Sequence, residues 1–449
     1  MDNSRKKIIM RRVKAFLIVA FAALAIYQTS QLWFVNIANR SFFLFLEDHL
    51  PHSEPDGYRA FVRPMRLVYG AGDGRFEILY SGLMDERPRG YFDTVLTELF
   101  TTGGTFIGAS QTDYIRLLER PVLIFEYAFA MPGNIFPLGF NQRSGAFLTN
   151  REIDAFNSVA IWPPWDGQGL RVFFIGDGMT WEFALDTATG ERFNHVIHPV
   201  VTDWRYFVSA ALEGYDMLPP GVFVARVGDV GQFATFPVIV SNPYLTHIGE
   251  RSINSIRHQI THFFDNPATI TSRVAGDGIW TFSNIHTTVR YYDTDVLEYA
   301  SFRPRRQNAA SRFMRDFSAA LAFVDGDPNV INEFYLAGFE SRGSAHVFWF
   351  GYIIGDFPLL MPHGWQVSSP DDILLAPIEV EVNQGRVVLY RRLAHNFRLD
   401  EANHNWMRLD LEAFLGRHEG PIGNLTLGYY MRPAGNLELV WWAWQSEAE

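Results

Sequence analysis

The hydrophobic pattern along the chain has two regimes. From Ala15 to Val35 (AFLIVAFAALAIYQTSQLWFV) there is no charge at all. A helix over these 21 residues would be about 31 Å long, close to the hydrocarbon thickness of a bilayer. Arg5, Lys6, Lys7, Arg11, Arg12 and Lys14 stand before it against Asp2 alone. The positive-inside rule then keeps the N-terminus cytoplasmic and sends the bulk of the chain across the cell membrane. The segment is therefore expected to be a single-pass transmembrane anchor. A cleaved signal peptide is the alternative: Ala15–Ile26 has the length for one, and Ala23-Leu24-Ala25 fits a small-x-small cleavage site. Apolar residues resuming at Leu32–Val35, with no helix breaker before them, favour the anchor.

Beyond residue 36 the pattern changes to short runs punctuated by turns. Ser41–Leu50 reads as a stalk and Pro51–Gly57 as a break. Alternating or β-branched runs predict strands at Arg66–Tyr69, Arg75–Tyr80, Pro121–Tyr127, Leu170–Ile175 and Thr180–Leu185. Further strands are predicted at Ile270–Val274, Ile279–Phe282, Thr287–Tyr292, Val296–Tyr299, Glu333–Phe339, Ala345–Ile354, Ile378–Val382 and Arg386–Tyr390, and at Leu425–Tyr430 with Leu437–Trp444. Gly70–Gly74, Gly176-Asp177-Gly178 and Asn383-Gln384-Gly385 predict hairpin turns. Apolar residues at helical spacing predict helices at Tyr91–Phe100, Asp203–Leu212, Arg251–Phe264 and Ala310–Val324. A capping Thr149 with Glu152 three residues on predicts a short helix over Thr149–Phe156.

The expected fold class is α+β: a single N-terminal transmembrane helix followed by a multi-domain ectodomain of antiparallel sheets with packed helices. The expected divisions are 1–14 (basic cytoplasmic tail), 15–35 (anchor), 36–157 (N-terminal ectodomain region), 158–302 (central α+β domain) and 303–449 (C-terminal α+β domain). Val289–Tyr299 (VRYYDTDVLEY) and Val380–Tyr390 (VEVNQGRVVLY) have equal length and share Val at the first and eighth positions and Tyr at the last. Each follows an amphipathic helix and several strands, which predicts two related units.

Composition narrows the function classes. With 48% hydrophobic and 19% charged residues the chain is globular. Cysteine is absent, which rules out disulfides, thiol nucleophiles and thiolate metal sites. All three lysines precede the anchor. Residues 1–14 carry a net +5 and the whole chain −11, which leaves −16 for residues 15–449. A body that acidic is no nucleic-acid binder, because that polyanion is bound by neutralising its phosphates.

No catalytic constellation stands out. His258-Gln259-Ile260-Thr261-His262 places two histidines four apart on a predicted helix, but Gln259 cannot take a proton from a metal-bound water. Helical phase sets both histidines opposite Ile256 and Ile260, facing solvent or a partner. His195 and His198 have no identifiable third ligand, and Asp325-Gly326-Asp327-Pro328-Asn329 lacks the Gly and Glu of a calcium loop. That acidic stretch reads as the turn after the Ala310 helix. Neither a metal nor an organic cofactor is expected.

Thr287–Tyr299 (TTVRYYDTDVLEY) with the helix that follows it, and Pro377–Ala394 (PIEVEVNQGRVVLYRRLA) running on to Asn396-Phe397, resemble the YycH family of regulatory proteins from Gram-positive bacteria. So does the layout of a short basic N-terminus, one anchor and an exported part of roughly 400 residues. The resemblance implies a non-enzymatic regulator of a cell-wall two-component system. Its implied partners are a single-pass YycI-like protein and the sensor histidine kinase YycG (WalK), with the anchor helices packed together in the membrane. In lipid, such packing relies on small residues and a few polar contacts. Ala22 and Ala25, with Thr29 four further on, share one helix face and are the expected partner-contact residues. Two rival readings stay open: an exported binding protein for a lipid or cell-wall fragment, and an envelope hydrolase with an unrecognised site.

Overall fold

The computed structural model describes residues 60–445 apart from several connecting stretches, the longest of which are 186–204 and 303–312. The expected anchor, with Ala22, Ala25 and Thr29, lies outside the described residues, as do His195 and His198. Among the described residues no helix is long and apolar enough to cross a membrane. They are mostly β-sheet with few helices.

The first half is one antiparallel sheet. Its strands are β1 (Arg66–Gly70), β2 (Phe76–Tyr80), β3 (Thr105–Gln111), β4 (Val122–Pro132), β5 (Ala155–Trp162), β6 (Leu170–Gly176), β7 (Met179–Leu185), β8 (Arg205–Ser209) and β9 (Phe223–Val227). They lie in the order β3-β7-β6-β5-β4-β1-β2-β8-β9. The predicted Gly176-Asp177-Gly178 turn joins β6 to β7, with Asp177 and Gly178 both at positive φ as a two-residue hairpin turn requires. Helix α1 (Glu86–Thr102) lays Tyr91, Phe92, Val95, Leu96, Leu99 and Phe100 on the core. Phe92 meets Phe125 of β4 at 4.0 Å. The helix stops where the Gly103 N–H, at φ 88°, reaches the Leu99 carbonyl at 2.9 Å.

Two expectations in this half are corrected. Within the helix expected over Asp203–Leu212, Arg205–Ser209 is β8, paired with β2 and β9, and only α4 (Ala210–Glu213) is helical. Tyr206, Phe207 and Val208 favour a pleated strand, and pairing with β9 satisfies the backbone that helical spacing seemed to claim. Helices α2 (Tyr114–Leu118) and α3 (Ala146–Thr149) are short, and Thr149 ends α3 rather than starting a helix. Glu152 sits in the left-handed region at φ 58°, while the Ile153 N–H reaches back to the Leu148 carbonyl. The signal read as an N-cap belongs to a helix C-terminus, and Phe156 is already in β5. Residue 157, the first division expected within the ectodomain, falls inside β5, between β4 and β6.

Two short strands, β10 (Phe233–Thr235) and β11 (Val238–Ser241), lead into the second half. There the order along the chain is α5 (Ile253–Ile260), β12 (Thr271–Val274), β13 (Trp280–Ser283), β14 (Thr287–Tyr291), β15 (Val296–Ser301), α6 (Phe313–Asp325), β16 (Glu333–Arg342), β17 (Ala345–Ile354) and β18 (Phe357–Leu360). Next come β19 (Trp365–Gln366), β20 (Ile373–Leu374), β21 (Ile378–Asn383), β22 (Arg386–Leu393), β23 (Asn396–Leu399), β24 (Asn405–Met407), β25 (Ile422–Met431) and β26 (Leu437–Gln445). Eleven strands form one sheet in the order β12-β13-β14-β15-β22-β21-β17-β18-β25-β26, with β16 on β17. Strands β12–β15 of the expected central region thus share a sheet with the expected C-terminal region, while β6–β9 lie in the first sheet. The second sheet's β18–β25 pair is parallel, a departure from the all-antiparallel expectation. Strand pairs β10–β24 and β11–β23 tie the connection between the halves to the end of the chain.

The echo read from the sequence is a duplication in space. Each unit is a helix and four matching strands, with β18–β20 inserted between β17 and β21 in the second, and the sheet reads β12-β13-β14-β15 against β22-β21-β17-β16 across a local two-fold axis. Val289 pairs with Tyr299 in one hairpin, and Val380 with Tyr390 in the other. The two final tyrosines face each other where β15 meets β22, so the axis passes through that pair. Even the helix ends repeat. Phe263-Phe264-Asp265-Asn266-Pro267 and Phe323-Val324-Asp325-Gly326-Asp327-Pro328 both run into an Asx turn, Asn266 accepting from the Ala268 N–H and Asp327 from the Asn329 N–H, each at 3.0 Å. Phe263, Tyr299, Phe323 and Tyr390 close on the axis as one aromatic group, with centroid separations of 4.9–5.9 Å.

Candidate functional site

Charge is concentrated beside that axis. Strand β22 alternates, so Tyr390 and Arg392 point to the core, and both are fully buried. The Arg392 guanidinium lies 3.3 Å from Asp327 Oδ2. Its Nη2 donates to Tyr244 Oη at 3.2 Å, and the cation sits 5.4 Å from the Tyr244 ring. Tyr390 Oη donates to Asp327 Oδ2 at 2.9 Å, and His262 Nε2 stands 3.3 Å from Oδ1. Burial acts to raise the Asp327 carboxyl, but Arg392 and His262 outweigh it and hold the group far below the usual carboxylate range. One acid thus joins four stretches: the end of α5, the turn after α6, β22 and the connection holding Tyr244.

Three further clusters surround it. At the β14–β15 turn, Asp295 accepts from Tyr291 Oη at 2.6 Å and Arg251 Nη2 at 3.2 Å, with His395 Nε2 3.4 Å away. Burial raises Asp295, while His395, Tyr291 and Arg251 bring it down to about 2. Glu298, nearly buried, accepts from Arg290 Nη1 at 2.8 Å and Arg391 Nε at 2.9 Å. Asp316 on α6 is fully buried and meets His346 Nδ1 at 2.8 Å and the Gly385 N–H at 2.5 Å. Each histidine therefore serves a different carboxylate. Among the described residues no three His, Asp or Glu side chains are grouped to share a metal ion. A slot at Val62, Arg63, Arg89, Asp93 and Phe125 holds about 10 Å³, room for roughly one water. A recess of about 550 Å³ at Leu245, Gly249, Glu250 and Arg251 is open to solvent. This arrangement works as a set of electrostatic ties between distant segments, with each acid matched to an arginine or a histidine.

The sequence-predicted residues scatter. His258 is exposed on α5, as expected. His262 is not solvent-facing, which corrects the helical-phase reading. The α-helix ends at Ile260 and a 3₁₀ turn over Thr261–Phe263 follows, with a tighter step per residue that swings His262 inward, against Phe263 and towards Asp327. Asp325–Asn329 is a turn after the helix, as read, yet its Asp327 is the most connected acid of the cluster. Arg392 and Tyr244 went unread. The available signal was that Arg392 stands two residues after the echo's final tyrosine, hence on the same inward face.

No family model matches the sequence, and no curated protein matches it. Among solved structures, the crystal structure of YycH from Bacillus subtilis is similar to it with a TM-score of 0.51 at 10% identity, covering 86% of this chain and 94% of that one. An uncharacterized protein from Eubacterium rectale is similar over 47% of this chain and 76% of its own, with a TM-score of 0.30 and 10% identity. The chain has the fold of YycH over 86% of its length. The resemblance read from Thr287–Tyr299 and Pro377–Ala394 holds at the level of fold.

Proposed function

We propose that this chain is a membrane-anchored, extracytoplasmic regulator of the YycH kind. It modulates a sensor histidine kinase of a cell-wall two-component system through its membrane helix and its folded body, and it works alongside a YycI-like single-pass protein. The observation that carries the reading is the YycH fold over 86% of the chain. One sequence feature supports it: the uncharged 15–35 run behind a basic tail. The described clusters fit a regulatory role, since their acids and bases are consumed in tying segments together. To regulate, the anchor must pack better against one kinase state than the other, for an equal contact shifts nothing. Ala22, Ala25 and Thr29 form the proposed contact face. Replacing residues 15–35 by an unrelated membrane helix is expected to keep the protein in the membrane and abolish its effect on kinase output. Unchanged output with the foreign helix refutes helix-mediated control.

A further inference from the structure

The first described residues, Ala60–Val62, do not lie on the surface. Phe61 is fully buried in the seam where the two sheets meet. Its ring stands 5.1 Å from Phe313 and 5.1 Å from Phe317 of α6, edge-on to both. It also stands 5.9 Å from Phe339 of β16 and 5.9 Å from Phe129 of β4. Phe129 and Phe339 are themselves 5.5 Å apart, one from each sheet. Both strands leave regular pairing nearby: β4 shifts register between Glu126 and Met131, and β16 between Leu336 and Gly338. The segment is tied to the first sheet by the Met65 N–H, 2.8 Å from the Glu126 carbonyl, and by the Arg66–Glu126 ion pair.

We infer that Phe61 is a latch: the chain arriving from the N-terminal side inserts it between the halves, so movement of that chain changes how the two sheets sit on each other. The mechanical part of the claim rests on the proposal that residues 15–35 are a membrane anchor; the latch itself rests only on the contacts above. An aromatic ring packed against four others, three of them edge-on, has no equivalent position to slide to, because close-packed interiors deform by discrete repacking. Pulling or turning the entering segment therefore either leaves the seam closed or frees it. No other stretch so near the proposed anchor touches both halves in this way among the described contacts.

The test uses the full chain in lipid nanodiscs. Hydrogen exchange is read at α6 and the β16–β17 hairpin, with β6–β7 and β14–β15 as controls. In Phe61→Ala the seam peptides are expected to exchange about tenfold faster or more while the controls keep wild-type protection. Phe61→Leu, which keeps most of the volume, is expected to restore most of that protection. Unchanged seam protection in Phe61→Ala overturns the latch. So does uniform loss across both sheets, which marks an ordinary core residue, and Phe61→Leu decides that point if the alanine variant does not fold. Transmission is tested by inserting a flexible linker of about ten residues within Pro51–Gly57. Kinase output is expected to become uncoupled while seam protection stays intact. Wild-type output with the linker overturns transmission, yet leaves the regulatory reading standing if the anchor replacement still abolishes control.

Discussion

Arg392→Met is the sharpest probe of the buried charge. The substitution keeps an unbranched side chain of similar reach and removes the cation. It leaves the Asp327 carboxylate, itself buried, with Tyr390, the Asn329 N–H and His262. Taking one partner from a buried ion pair costs about 3–5 kcal/mol, because the remaining charge keeps its desolvation penalty without its Coulombic return. The Arg392 bond to Tyr244 is lost as well, adding about 1 kcal/mol. The unfolding entropy grows with length, so for 449 residues the shift is roughly 1 °C per kcal/mol and the melting temperature should fall by about 4–6 °C. Asp327→Asn should cost a similar amount by stranding the guanidinium, although the amide can still accept from the Asn329 N–H. Combining the two removes both charges, so the double variant should be more stable than the sum of the singles by about 2 kcal/mol or more. Denaturant unfolding followed by tryptophan fluorescence measures all three variants. Single costs below about 1 kcal/mol, or costs that simply add, refute the claim that these groups form a tightly coupled pair.

Asp295 sits near pKa 2 in the folded chain, against about 3.9 unfolded, so its contribution is present above pH 4 and fades as pH falls towards 2. The shift corresponds to about 2.5 kcal/mol, and Asp295→Asn should flatten the acid limb of stability by that order in a pH series of unfolding midpoints. Gln384 occupies the left-handed region at φ 56° in the β21–β22 turn; Gln384→Gly should stabilise the chain by about 1 kcal/mol, and a loss of thermal stability would contradict that. Gly133→Ala would drive a methyl group into the Ile153 carbonyl beside the 2.7 Å bond from the Gly133 N–H to the Asp154 carbonyl. It should cost about 1–3 kcal/mol, read as lost hydrogen-exchange protection at the start of β5.

Strands and hairpins were legible because their signal is local. Alternation and Asn/Asp/Gly turns located β6, β7 and β21 to within one residue, and the start of β22, which runs three residues past the expected Tyr390. Helix starts and stops were less legible. Thr149 with Glu152 satisfies the composition of a capping box, yet the backbone uses the same residues to leave a helix, since Glu152 takes positive φ. Arg205–Ser209 shows tertiary pairing overriding a helical spacing of apolar residues. Spacing offered one sign of the charge cluster, the two-residue step from Tyr390 to Arg392, and none that brought Asp327 to it. Asp327 and Arg392 are far apart in sequence, and nothing local marks an acid in a turn as buried. Phe61 was hidden for the same reason: its partners come from β4, α6 and β16 together.

The duplicated frame shows what the charges are for. In the first unit the Asx turn uses Asn266, which is exposed and neutral. In the second, Asp327 makes the same turn and is buried. Tyr390 follows Tyr299 by 91 residues, and the same offset carries Arg392 back to Ser301. The helix, the turn, the four strands and the hairpin register therefore all form once without either charge. The ion pair is not needed to build the unit. Its distinguishing contact is Tyr244, which belongs to the connection running from the first half, just after β11. The Arg392–Asp327 pair is better understood as the fastening of that connection to the sheet. Loosening it should expose residues 242–251 to exchange before the hairpins themselves open, which separates a fastening from a fold determinant.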